Sequence, residues 1–416
     1  MLKHFEITRE RINQFTNALR DKLYAEKAPV ALSVYGPTDR ITLDEALSQA
    51  KFKPAKIGEK FGPPWSTHWF KVEIDVPKAW RGKEAHLLWD SISEGLIYLD
   101  GKPVQALTGT DWSGRPLRPE WRLPKRTTQL TVYIEMAVNH LFGFNEMGNV
   151  QETYFIGMLR QAEIGLFDRD AWNLLWDYSV VAESASEMPQ DSVRGRQAMF
   201  AANAFINAIR LDDKRTWPGA RKILSQFLAA RNGDSQHNVS AIGHAHIDTA
   251  WLWPLAETRR KVIRTVSTTM RLMEDYPEYK FSFSQAVQHD WVKEMRPDLY
   301  AQLKKRVKEG RVVPVGGMWV EPDTNVPSGE SLIRQMLIGQ RWFEREYGLR
   351  CNEIWIPDVF GYCAPTAANS RTGRGHAFSY AEALVEPDEQ AAAPHLLLGG
   401  VGRHAHADPL PAHRHV

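Results

Sequence analysis

The chain has 416 residues, 25% of them charged, and a formal net charge of +2. That length exceeds one ordinary domain and suits two or three, each able to bury its own core. So balanced a charge offers no long-range field to nucleic acid or to an anionic membrane surface, and the expected partner is small and neutral. Cys351 and Cys363 are the only cysteines, too few for a disulfide framework or a cysteine-based zinc site. The opening Met1-Leu2-Lys3-His4-Phe5-Glu6 runs into polar helical sequence instead of an apolar signal core, and no run is long enough to span a bilayer. Together these features point to a cytoplasmic protein.

Five segments follow in order. Residues 1–57 read as a helical arm, because Ile12, Phe15, Leu19 and Leu23 recur at helical spacing between about Thr8 and Lys27. Residues 58–170 change to short alternating runs, Trp69 to Ile74, Ile97 to Leu99 and Leu130 to Glu135, with the hairpin signal Asp100-Gly101. This predicts an antiparallel, sandwich-like module. Its tryptophans, Trp65, Trp69, Trp89, Trp112 and Trp121, either pack the core or offer a sugar-stacking surface, and core packing is the commoner fate. Residues 171–236 read as a helical connector, closed by the loop Asn232-Gly233-Asp234-Ser235.

From 237 to 364 strands and helices alternate. Strands are expected at Val239 to Gly243, Lys280 to Ser284, Arg311 to Val315 and Glu353 to Ile356. One intervening helix opens near Pro254 and buries Val262, Ile263, Val266, Met270 and Met273. Repeated βα units build a parallel sheet or barrel whose active site gathers at the carboxyl ends of the strands. The conspicuous polar residues sit at those ends. In Gly243-His244-Ala245-His246-Ile247-Asp248, alternate side chains share a face, so two imidazoles and a carboxylate point into one space. After the fourth strand comes Pro357-Asp358-Val359-Phe360-Gly361. His246, Asp248 and Asp358 form a mixed nitrogen and oxygen set of the kind zinc accepts, with His244 more suited to a neighbouring role. Other strand ends carry Ser284-Gln285-Ala286 with His289 and Trp291, and the run Gly316 to Asn325. These could contact a polyol, and Asp323 could equally serve a local turn.

These motifs resemble the family 38 glycoside hydrolases, the class II α-mannosidases, and within them the cytosolic and bacterial branch. The resemblance rests on Gly243-His244-Ala245-His246-Ile247-Asp248-Thr249-Ala250-Trp251, Phe283-Ser284-Gln285-Ala286, Val315 to Glu321, Pro327-Ser328-Gly329-Glu330 and Trp355 to Tyr362. It runs from about Val239 to Ala364, and the arm and β-rich module look like the extension this branch carries. It implies the first part of a seven-stranded α/β barrel and a zinc-dependent, retaining hydrolysis of terminal α-mannosides. His246, Asp248 and Asp358 would hold zinc, or cobalt in its place. Asp358 would also attack the anomeric carbon, Trp251 would stack under the mannose and Phe360 would pack beside the nucleophile. A fourth ligand, a histidine, and the general acid would lie in later sequence. The residues also admit a metal-dependent polysaccharide deacetylase, or a non-catalytic carbohydrate-binding protein served by the β-rich module; a homo-oligomer stays open.

The resemblance stops near Ala364. Residues 365–416 contain no Lys, Ile, Trp or Met yet hold six of the 14 histidines. Back-translating from Phe378 and reading one nucleotide later permits F-L-T-Q-K-L-S-W-N and then M-N-K-L-P-H-H-T-F, words similar to the family's continuation. The expectation is a one-nucleotide insertion near codon 364 and an out-of-frame tail, leaving an inactive, truncated product with an open edge at its fourth strand. A genuine metal-binding tail through His404, His406, His413 and His415 is the alternative.

Overall fold

A computed structural model describes residues 4–110, 116–139, 157–189, 191–231 and 240–361, with the backbone of 377–379. The chain divides into two compact units, Met1–Asn238 and Val239–Val416. The first opens with α1 (Phe5–Arg20), followed by β1 (Glu26–Pro29), β2 (Ala31–Thr38), α2 (Leu43–Gln49), β3 (Lys53–Pro54), β4 (Lys60–Phe61) and β5 (Thr67–Asp75). Next come β6 (Ala85–Asp90), β7 (Glu94–Leu99), β8 (Lys102–Thr110), β9 (Pro116–Arg118), β10 (Glu120–Arg122), β11 (Gln129–Ala137), β12 (Gly157–Met158) and β13 (Gln161–Leu166).

These strands form two main antiparallel sheets, β3-β2-β5-β11-β7-β8-β9 and β1-β13-β6-β10. One apolar core draws on both: Phe70, Val72, Ile97 and Ile134 from the first, Leu87, Trp89, Trp121 and Ile164 from the second. The Asp100-Gly101 pair joins β7 to β8 with both residues at positive φ, 50° and 74°, as a tight hairpin with right-handed twist requires. Trp69, Trp89 and Trp121 are buried, so they stabilise the packing and present no sugar platform; Trp112 lies outside the described residues.

The sheets start earlier than residue 58, because β1 and β2 belong to them. Pro29 and Pro37 interrupt the β pattern there, and β1 tolerates its proline as an edge strand, where a missing N–H breaks no ladder. The amphipathic helix ends at Arg20, short of Lys27. It is no free arm: Ile12 and Leu19 are buried, together with α3 (Arg169–Glu187), α4 (Val193–Ala208) and α5 (Trp217–Leu228). The Tyr178 hydroxyl donates to the Ile12 carbonyl at 2.8 Å, fixing α1 to α3.

The second unit runs β14 (Gly243–His244), α6 (Leu255–Asp275), β15 (Phe281–Phe283), α7 (Ala286–Met295), α8 (Pro297–Lys308), β16 (Val312–Pro314), α9 (Gly329–Tyr347), β17 (Glu353–Trp355) and β18 (Ala377–Ser379). β14, β15 and β16 are parallel neighbours, and β17 pairs in parallel with β18. The strands are shorter than their apolar runs suggest, two or three residues each. One edge of β17 is occupied by β18, so that edge is not open as the sequence led us to expect. α6 buries Val262, Ile263, Val266, Met270 and Met273 as its spacing predicts. α9 is capped by the Ser328 hydroxyl, which accepts the Ser331 N–H, and stops at Gly348 with φ 69°. Among the described residues no helix is long and apolar enough to cross a membrane.

His289 on α7 is fully buried among Phe283, Trp342, Phe343 and Tyr347, which removes it from any sugar-facing role. Its Nε2–H donates to the Phe283 carbonyl (3.2 Å), leaving Nδ1 to accept from the Tyr347 hydroxyl (2.9 Å), so the neutral ring satisfies both nitrogens. Burial pushes the imidazole down to about 3, against the Phe283 hydrogen bond. The unfolded chain therefore binds this proton more tightly, and stability is lost as pH falls below the unfolded value near 6.5. Urea titrations at pH 7 and pH 5 should differ by about 2 kcal/mol from this group alone. His289→Gln should flatten that dependence; an unchanged slope would refute the assignment.

Candidate metal centre

Four consecutive strand ends build the site. β14 is followed by His246 and Asp248, β15 by Ser284 and Gln285, and β16 by the loop that carries Glu321; Asp358 follows β17. The first loop is pinned by amides at the start of α7. The Gln285 and Gln288 side chains donate to the Ile247 carbonyl at 2.9 and 2.8 Å, and Thr249 Oγ1 donates to Gln285 Oε1 at 2.9 Å. Gln285 itself sits at φ 59°, a conformation that side chains rarely adopt, and such residues concentrate at functional sites.

One ligand atom from each of His246, Asp248 and Asp358 lies within 4.8 Å of the others. His246 Nε2 is 3.1 Å from Asp248 Oδ1 and 3.3 Å from Asp358 Oδ2. On the other side of the ring, Nδ1 meets Glu321 Oε2 at 2.7 Å, and the Ser284 hydroxyl donates to the remaining Glu321 oxygen. His246, Asp248, Glu321 and Asp358 line a cavity of about 190 Å³, with Thr249, Gln285, Asp323 and Phe360 also in its walls. Burial would depress the His246 imidazole, but the hydrogen bonds its ring donates to the Asp248 and Glu321 carboxylates outweigh that and push it up to about 10. Three carboxylates around one ring leave an excess of negative charge that a divalent cation would neutralise. The nitrogen and oxygen donors of His246, Asp248 and Asp358 suit zinc, and these three leave room in its coordination shell for a further donor.

His244 stays out of the cluster. Its Nδ1–H donates to the Ser282 carbonyl (3.1 Å), its Nε2 accepts from Trp355 Nε1 (3.3 Å), and burial lowers its pKa. It therefore ties β14 to β15 and β17. Asp323 is exposed and borders the cavity, and its Oδ1 accepts the backbone N–H groups of Asn325 (2.7 Å) and Val326 (2.8 Å), which is turn chemistry. Phe360 is 84% exposed at the rim, and Trp251 is 53% exposed, edge-on to Trp253 at 5.6 Å. The contacts of Glu321 and Ser284 were not foreseen. Both residues stood inside the quoted motifs, but the pairing joins residues 37 positions apart, and no local periodicity encodes it.

Residues 236–373 match the family described as Glycosyl hydrolases family 38 N-terminal domain, and residues 28–165 match the Alpha-mannosidase, jelly roll domain. Residues 236–373 are therefore similar to the N-terminal domain of glycosyl hydrolase family 38. The first match ends nine residues beyond Ala364, where the motif resemblance stops. Among curated proteins, the chain is 41% identical over 374 residues to Alpha-mannosidase 2C1 of Homo sapiens, covering 87% of this chain and 36% of the relative. It is 39% identical over 379 residues to Alpha-mannosidase G of Dictyostelium discoideum, covering 88% and 35%. Against Alpha-mannosidase of Saccharomyces cerevisiae the identity is 39% over 335 residues, covering 76% and 30%. The chain spans about a third of the length of these relatives.

Proposed function

We propose that this chain carries the first part of the catalytic domain of a zinc-dependent, retaining α-mannosidase, folded as part of a seven-stranded β/α barrel, with a mannose-containing oligosaccharide as its substrate. The observation that carries the reading is the convergence of His246 Nε2, Asp248 and Asp358 at one cavity mouth, within a segment that matches family 38. Zinc, when bound by these three, supplies positive charge that keeps the Asp358 carboxylate ionised and can draw in a sugar's hydroxyls. Asp358 then attacks the anomeric carbon and forms a covalent glycosyl ester, which water later hydrolyses with retention. Trp251 and Phe360, both exposed, are available to stack against the ring. A second carboxyl about 5 Å from the nucleophile must protonate the leaving oxygen; we assign that group to sequence beyond the family match.

We further propose that residues 365–416 are read out of frame, supported by their abrupt change of residue usage. Apart from the backbone of 377–379, this tail lies outside the described residues. Sequencing the gene across codon 364 decides the matter, since an unambiguous intact frame there ends the idea. The function is tested on the frame-restored protein, offered an aryl α-mannoside and an N-acetylated glycan. Release of mannose with retained configuration is the expected result; deacetylation with no mannoside cleavage would overturn it.

A further inference from the structure

Glu321 contributes nothing to the three-residue cluster, yet its side chain is only 4% exposed and both of its oxygens are engaged. A buried carboxylate is costly unless each oxygen has a partner, so its presence here calls for a physical reason. Oε2 accepts from His246 Nδ1 at 2.7 Å, and the opposite ring nitrogen, Nε2, is the one that faces Asp248 and Asp358. Oε1 is held by the Ser284 hydroxyl. The three residues come from three successive strand ends, so the contact ties the loops after β14, β15 and β16 together.

The loop that bears Glu321 is itself fixed. Gln335 of α9 takes the Trp319 N–H on its carbonyl (3.0 Å) and the Val320 N–H on its side-chain oxygen (2.9 Å). The first two N–H groups of α7, from Ala286 and Val287, donate to the Met318 and Trp319 carbonyls at 3.1 and 3.0 Å. A carboxylate on so constrained a backbone has little freedom to follow the imidazole; the imidazole must instead conform to it.

We propose that Glu321, oriented by Ser284, is a positioning residue that keeps the proton of His246 on Nδ1 and so presents Nε2 to the metal. This rests on the metal-site reading above. A neutral imidazole has two tautomers, and only the one protonated at Nδ1 leaves Nε2 free to ligate. The Glu321 charge also raises the basicity of the ligating nitrogen and stops the ring from turning away, and losing such a partner costs about 10–100-fold in metal affinity.

Zinc affinity of the 416-residue chain, measured by competition with a chromophoric chelator, provides the test, counting only the equivalent that His246→Ala removes. Glu321→Ala should weaken that equivalent by about 10–100-fold, and Ser284→Ala by less. Glu321→Gln, whose amide oxygen can still accept from Nδ1, should recover most of the affinity. Thermal melting without metal separates this from general damage, because a merely structural role would lower stability in all three variants without the Gln rescue. Should Glu321→Ala fail to fold, ¹⁵N imidazole spectra of the zinc-loaded wild-type chain decide the question. A proton on Nδ1 and zinc on Nε2 of His246 support the proposal, and zinc on Nδ1 overturns it. Undiminished affinity in Glu321→Ala overturns the positioning role alone; a wild-type chain with no His246-dependent zinc overturns it together with the metal site.

Discussion

Replacing Asp358 with asparagine lowers kcat of the frame-restored protein on an aryl α-mannoside by at least about 10³-fold, the scale seen when a nucleophile that acts as part of a unit is removed. The amide keeps the shape and an oxygen donor but cannot form a stable ester with the anomeric carbon. Zinc is retained, held by His246 and Asp248, because both remain in the cluster. That combination, turnover lost and metal kept, separates a nucleophile from a residue that only ligates. If kcat stays within a few-fold of wild type, Asp358 does not attack the sugar, and the carboxylate at the end of β17 must have another role.

Gly339→Ala, on α9 and away from the cavity wall, destabilises the chain by about 3 kcal/mol, the upper range for forcing extra volume into packed structure. A Cβ there would meet the Met318 carbon, the Gly317 oxygen and the Trp319 nitrogen at 2.4, 2.5 and 2.6 Å. These are backbone atoms, so no side chain can swing aside, and either α9 or the loop must move. The loop is the one that ends in Glu321, so the same variant should also weaken zinc binding at His246. Urea unfolding and a zinc titration check the two effects. A variant as stable as wild type would show that α9 can withdraw without cost, and that the close approach of Gly339 to the Gly317–Trp319 backbone is not a packing constraint.

Some of this was readable from residue order alone. Alternation in Leu130 to Glu135 and the Asp100-Gly101 pair declare a hairpin-rich sheet because a pleated strand repeats every two residues. Val262, Ile263, Val266, Met270 and Met273 declare α6 for the same kind of reason at helical period. His246, Asp248 and Asp358 could be grouped in advance because parallel βα units deliver strand ends to one face. What was hidden depends on tertiary contact. Whether Trp69 and Trp89 lie inside or on the surface is set by which face of the sheet meets its partner, and composition is silent on that. His289 looked like a sugar contact because it follows a polar strand end, but α7 turns it into an aromatic cluster supplied largely by α9. Glu321 escaped notice because its two partners arrive from loops 75 and 37 residues away.

Whether His246, Asp248 and Asp358 together hold one divalent cation decides the proposed function. The most direct measurement is zinc uptake by the wild-type chain and by the double variant His246→Ala/Asp248→Ala, compared at matched concentration because the six histidines after residue 364 can bind zinc themselves. One tightly held equivalent in wild type that the double variant lacks is the expected result. Equal zinc content in the two proteins would contradict it.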